Sequence, residues 1–224
     1  MHIRLNRYPN KVELIYTDAH RPNGLDHLKE QSPMYARFIL VTVALILSGC
    51  TANQYDNSKP PDPTQAVIVG RIAEGFLTQP HGLQIDIQRQ GEPATRIQLR
   101  TLGNNKDVHG RFVLGEHFMY QVPPGTYEVT GWQYQYYAGK SMARRAADHF
   151  TVKAGEVAYI GNYTANSLSY CLTRNSQLEP AVEPLVKKFP ILKDRPINNV
   201  AESAPFAPWP TSDARDNGKG LCNF

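Results

Sequence analysis

The chain has 224 residues, 24 Lys and Arg against 20 Asp and Glu for a formal net charge of +4, and 41% hydrophobic residues. From Cys50 onward the balance narrows to 18 basic against 16 acidic residues, scattered rather than clustered, which excludes the charge footprint of a nucleic-acid binder. That stretch is long enough for one domain with a real core.

Residues 1–33 carry Glu13, Asp18, Asp26 and Glu30 and show no hydrophobic period. From Met34 the segment MYAR supplies a short basic start through Arg37, so translation is expected to begin at Met34 and 1–33 to be a mis-assigned extension. The alternative is an unusually long leading region. The following run, Phe38 to Leu47, is apolar but too short for the roughly 20 residues a spanning helix needs. It matches the ~7–15 residue apolar centre of an export signal, and the small Ser48 and Gly49 follow where a peptidase requires a slim substrate. Residues 34–49 therefore read as a signal peptide.

The quartet Leu47, Ser48, Gly49, Cys50 resembles the lipobox of bacterial lipoproteins. The resemblance implies that the Cys50 thiol takes a diacylglyceryl group, that the leader is cut just before it, and that the freed amine is often acylated too. Two or three chains give lasting attachment where one is marginal. It also implies a partner, the membrane, reached through lipid, and a place in the cell envelope. Because Thr51 rather than Asp follows, the sorting rule of enteric bacteria implies the outer membrane.

Two cysteines remain, Cys171 and Cys222. In an exported chain leftover thiols usually pair, so a disulfide is expected; free thiols or a metal are the competing readings, although no CxxC or adjacent His favours zinc. Residues 50–65, rich in Pro and polar groups, read as the lipid-bearing Cys and a flexible linker reaching some 40 Å.

A period of two begins at Val67. VIVGRI reads as a strand. LQIDIQ places Leu83, Ile85 and Ile87 on one face, and RIQLR places Ile97 and Leu99 likewise, which makes a hairpin. RFVLGEHFMYQV is a strand with a bulge or turn expected at Gly115. In QVPPGTYEVTGW, Pro124 and Gly125 suit the second and third positions of a type II turn.

PPG-x-Y-x-V after an apolar strand resembles the prealbumin-like sandwiches: transthyretin, carboxypeptidase-regulatory and collagen-adhesin B-type repeats. The resemblance covers about residues 66–165. It implies Tyr127 and Val129 in the core, and a closing hairpin in which Ala154 and Gly155 turn between Phe150, Val152 and Val157, Tyr159. The expected fold class is all-β: a single antiparallel β-sandwich of about seven strands over residues 66–170, with a short helix and Pro-rich coil tail over 171–224. Leu185, Val186 and Phe189 set the helix, limited by Pro180 and Pro184 to about two turns.

Motifs for catalysis are lacking: no GxSxG, HExxH or phosphate loop occurs. Asp148 and His149 are neighbours in a strand and point to opposite faces. His109 and His117 could face each other across a hairpin and bind a metal, though no third ligand is in view. No cofactor is expected. WQYQYY sets Trp132, Tyr134 and Tyr136 on one strand face, with two readings: an interior stack, or an exposed platform for sugar rings with Arg144 and Arg145 reaching anionic glycan. The functional expectation is a lipid-anchored envelope module, not an enzyme, with a structural or binding role. The alternatives are a carbohydrate or peptidoglycan binder and an accessory subunit of an envelope complex.

Overall fold

The computed structural model describes Gln54, Tyr55, residues 59–103, 106–136 and 149–211, and Cys222. The signal peptide, Met34, Cys50, Asp148, Arg144 and Arg145 lie outside the described residues. Among those described, no helix is long and apolar enough to cross a membrane, which says nothing of a β-barrel.

The chain is mostly β and builds two sheets. In order come β1 (Ala66–Gly75), β2 (Leu83–Arg89), β3 (Glu92–Arg100), β4 (Val108–Gly110), β5 (Val113–Val122), β6 (Gly125–Tyr134), β7 (His149–Val152), β8 (Val157–Asn166) and β9 (Cys171–Asn175). Helix α1 (Glu179–Lys188), a 3-10 turn (Pro190–Leu192), β10 (Ile197–Asn199), α2 (Val200–Ser203) and β11 (Trp209–Pro210) follow. One sheet has four strands, β3-β2-β6-β7. The other has seven, in the order β11-β9-β8-β1-β5-β4, with β10 added beside β8.

The alternation read in the sequence sets the core. Leu83, Ile85, Ile87, Ile97 and Leu99 are each fully buried and belong to the same apolar cluster as Ile68, Ile72, Phe118, Ile160 and Tyr163 of the larger sheet. A cluster drawing on both sheets removes one face of each from water, at about 25 cal/mol per Å² of apolar surface. Tyr127 and Val129 lie in it as expected, at 0% and 5% exposure.

The larger sheet buries its other face as well. Val67, Val69, Met119 and Tyr159 form a second cluster with Ala181, Leu185, Phe189 and Leu192, so α1 covers that face. This double burial explains why β1 reads as a nearly continuous apolar run rather than a clean alternation.

Several sequence expectations are corrected. Gly115 makes no bulge: the β1–β5 register runs unbroken from Ala66↔Val122 to Gly75↔Val113. A Cβ at Gly115 would lie 2.2 Å from the Ile72 carbonyl oxygen, so the glycine permits close strand approach. Gly125 has positive φ, but its +152° is far from the third position of a type II turn, and the residue already begins β6.

The closing hairpin is absent. Gly155 turns the chain with φ +75°, yet β7 pairs with β6 in one sheet and β8 pairs with β1, in parallel, in the other. Turn residues dictate a reversal; they do not dictate that the flanking strands bond to each other. Helix α1 is longer than two turns, running ten residues with Pro180 in its first turn and Pro184 inside. Pro184 removes only the bond back to residue 180.

The described residues after 170 do not form a separate tail. β9, β10 and β11 extend the seven-stranded sheet, and Trp209 is buried at 4% exposure in the inter-sheet cluster. Nor is residue 50–65 wholly a free linker. Gln54 bridges to Tyr120, and the Tyr55 N–H donates to the Met119 carbonyl at 2.8 Å. β4 pairs with β5 only at residues 113–115, which leaves that acceptor open. Further along, the Asp62 N–H donates to Gln121 Oε1 at 3.1 Å and the Gly155 N–H to the Gln65 carbonyl at 2.7 Å.

Candidate functional site

The aromatic strand face resolves first. Alternation along β6 turns Trp132 and Tyr134 inward, each 2% exposed, while Tyr136 lies beyond the strand and is 76% exposed. Trp132 and Tyr134 meet edge to face with centroids 5.6 Å apart, and Tyr134 meets Tyr170 in the same way at 6.3 Å. Burial holds the Tyr134 phenol well above its ordinary pKa. A sugar ring needs an exposed aromatic face, so the three-ring platform does not form. The interior reading holds for two rings and fails for Tyr136.

The histidines also separate. His109 sits opposite Leu114 in the β4–β5 pairing and lies 3.1 Å from the Lys106 carbonyl through Nε2. His117 turns instead to Asp107. Among the described residues, no group of three or more His, Cys, Asp or Glu converges as a metal site. His149 meets Glu128 at 3.4 Å and Gln90 at 3.1 Å on an exposed surface.

One polar cluster lies where β5, the segment leading into β4 and α1 meet. The Asp107 carboxylate accepts from the His117 N–H at 2.8 Å, lies 2.7 Å from His117 Nδ1, and accepts from Lys188 Nζ at 3.1 Å. Lys188 Nζ also donates to the His117 carbonyl at 2.6 Å. Partial burial pushes Asp107 up, but the donors of His117 and Lys188 outweigh it and hold the carboxyl below its usual range.

His117 moves down as well. Burial dominates, the Asp107 carboxylate pulls the other way, and the cationic Arg71 and Lys188 add to the fall. Neutral imidazole is thus favoured near pH 7, with Nδ1–H donating to an ionised Asp107. Beside it on β5, burial pushes the Glu116 carboxyl up to about 7, with Lys188 opposing.

An acid-oriented imidazole is half of a relay. Here the orienting group is itself bound to a lysine that ties down α1, and the imidazole is 10% exposed. The arrangement fastens a helix, a strand and a loop together.

A second interior carboxylate has the same character. Glu74 is fully buried; its Oε1 accepts from the His81 N–H, and its Oε2 accepts from the N–H groups of Gly82 at 2.9 Å and Leu83 at 3.1 Å and from the Thr101 hydroxyl at 3.1 Å. Those donors fix the β1–β2 connection. In the sequence Glu74, Glu116 and Asp107 belong to no motif, and the pair Lys187 and Lys188 reads as a solvated face, which the bonds of Lys188 to Asp107 and the His117 carbonyl correct. The one signal present was the charged pair Glu116-His117 inside an otherwise apolar strand.

Cys171 and Cys222 form a disulfide, with Cα atoms 5.4 Å apart across 51 residues of chain. That settles the pairing in favour of the bridge over free thiols or metal. Surface grooves among the described residues include one of about 640 Å³ between the start of α1 and Asn199 and Glu202 and one of about 330 Å³ beside Gly155 and Arg195. Neither holds the polar clusters described above.

No protein-family model matches the chain, and neither does any curated protein. Among solved structures, a leucine-rich repeat protein from Bacteroides thetaiotaomicron is similar at 12% identity and a TM-score of 0.24, over 46% of this chain and 13% of that one. The chain thus spans about an eighth of that protein's length, and a likeness at this level carries no argument about fold or function.

Proposed function

We propose that this chain is a lipid-anchored protein of the cell envelope, acylated at Cys50, whose folded part serves a structural or binding role without catalysis. The single observation that carries the reading is the order of features at residues 34–50: a basic start, a short apolar run, and Leu-Ser-Gly-Cys. The Cys171–Cys222 bridge supports it, because disulfides persist in oxidising compartments. With those two cysteines paired, Cys50 is left as the acyl acceptor.

The folded part is proposed as a prealbumin-like β-sandwich with additional C-terminal strands. Support comes from the apolar cluster shared by two sheets, from buried Tyr127 and Val129 after Pro123, Pro124 and Gly125, and from a mostly antiparallel ladder. Its partners on this reading are the bilayer, through lipid at the outer membrane, and envelope proteins. An accessory-subunit role is favoured by β3, whose nine residues form the longer of the two outer strands of the four-stranded sheet among the described residues. Such an edge accepts a partner strand.

Membrane fractionation tests the anchor. Wild-type protein expressed with its leader sediments with envelopes, while Cys50→Ala is released to the soluble fraction or retains its leader. Equal sedimentation without lipid on either chain contradicts the reading.

A further inference from the structure

Only three residues lie between the proposed acyl acceptor Cys50 and Gln54, which among the described residues is the first seated on the sheet. Fully extended chain spans at most about 3.5 Å per residue, so four steps of chain can reach no more than about 14 Å from Gln54, whatever their path. A free linker over 50–65 would allow several times that.

The seat itself is specific. Tyr55 donates its N–H to the Met119 carbonyl and lays its side chain on the cluster of Val69, Met119 and Leu185, where Val186 and Ile191 of the α1 side also pack. Further attachments at Asp62 and Gln65 hold the chain along the same end of the sheet.

We infer that this seat turns the β5 edge and the adjoining flank of α1 toward the bilayer and holds them at contact distance. The inference rests on acylation of Cys50. On the stretches that carry the seat and α1, exposed Lys59, Lys187, Lys193 and Arg195 are matched by exposed Asp62, Glu179, Glu183 and Asp194, so the lipid tether rather than net charge sets the approach to the phospholipid surface. The opposite edge of the molecule is then presented to the aqueous compartment and its partners.

The test is neutron reflectometry of the purified, lipid-bearing chain on a supported bilayer of phosphatidylethanolamine and phosphatidylglycerol. Wild type is expected to show protein density directly against the headgroups. Tyr55→Pro removes both the donated N–H and the ring, and is expected to lift the layer by about 20 Å, the mean span of roughly a dozen flexible residues. A second variant inserts twelve Gly and Ser residues between Cys50 and Gln54; it leaves the seat intact and is expected to lift the layer similarly.

A lipid-bearing wild-type layer standing some 30–40 Å off, as for a fully free linker, overturns the inference. So does a Tyr55→Pro layer at the wild-type height while the insertion variant rises. A chain that carries no lipid mass and washes off the bilayer overturns the acylation reading, and this inference with it.

Discussion

Lys188 Nζ, in the last turn of α1, donates to the carbonyl oxygen of His117 on β5 at 2.6 Å, and so bonds the helix directly to a strand backbone. The same ammonium reaches Asp107 at 3.1 Å, and its side chain is only 17% exposed. Replacing it leaves a carbonyl and a carboxylate short of a donor. Lys188→Met is expected to lower unfolding free energy by about 2 kcal/mol, the usual loss for a charge-assisted hydrogen bond. Denaturant titration reads it; an unchanged midpoint shows the fastening to be idle.

Glu116 makes stability depend on pH in a defined direction. Its folded pKa of about 7 lies above the ordinary 4.5, so the folded chain holds a proton that the unfolded chain has released. Stability from this group is fully present below pH 4.5 and is lost as pH rises toward 7. Glu116→Gln stays neutral throughout. The melting temperature of that variant, minus that of wild type, should grow between pH 4.5 and 7 and then level off; a constant difference contradicts the assignment. His117 works the other way: its lowered pKa costs stability as pH falls below 6.5, and the subtraction removes that shared contribution.

Trp132 fills the interior rather than a binding surface. Trp132→Ala is expected to cost about 3–5 kcal/mol in unfolding free energy, as large aromatic truncations in cores do. Chemical denaturation measures it. A cost under about 1 kcal/mol places the ring outside the core, contrary to its 2% exposure.

The disulfide closes a loop of 51 residues, and the chain-entropy account gives it roughly 4 kcal/mol. Reduction, or Cys222→Ser, is expected to lower the melting temperature by about 10 °C, given some 2–4 °C per kcal/mol at this size. Identical melting of oxidised and reduced protein contradicts a stabilising bridge.

Gly115 allows no side chain, since a Cβ there would meet the Ile72 carbonyl oxygen at 2.2 Å and the Ala73 Cα at 2.8 Å. Gly115→Ala must push β1 from β5 at the centre of the larger sheet. It is expected to destabilise by about 3 kcal/mol or to prevent folding, read by soluble yield and denaturant midpoint. Wild-type stability in this variant shows the strands to be further apart than described.

Local pattern carried much of the fold and little of its wiring. Leu83, Ile85 and Ile87 alternate with polar neighbours, so their burial was readable from spacing alone. The partner of Val157 was not: Ala154 and Gly155 announce a turn, but whether β7 and β8 join one sheet depends on what each meets across the molecule. Trp209 was hidden for a related reason. It stands in APWP, a coil-like context, and is buried where its pairing with Leu172 of β9 lays that stretch onto the sheet.

The polar clusters were illegible for another cause. Asp107 and Lys188 are 81 residues apart and become neighbours only through tertiary folding. The aromatic run was legible as a strand, while its end was not: Tyr136 has the same parity as Trp132 but falls past the last residue of β6, where alternation stops. Cys50 stands in the opposite position, its argument lying wholly in sequence.

The most direct test of the account is the intact mass of full-length protein purified from bacterial envelopes. The expected species begins at Cys50, lacks everything before it, and carries the added mass of a diacylglyceryl group and an amide-linked acyl chain. A mature chain that keeps its leader, or one that starts elsewhere with an unmodified Cys50, contradicts the anchor and the envelope role built upon it.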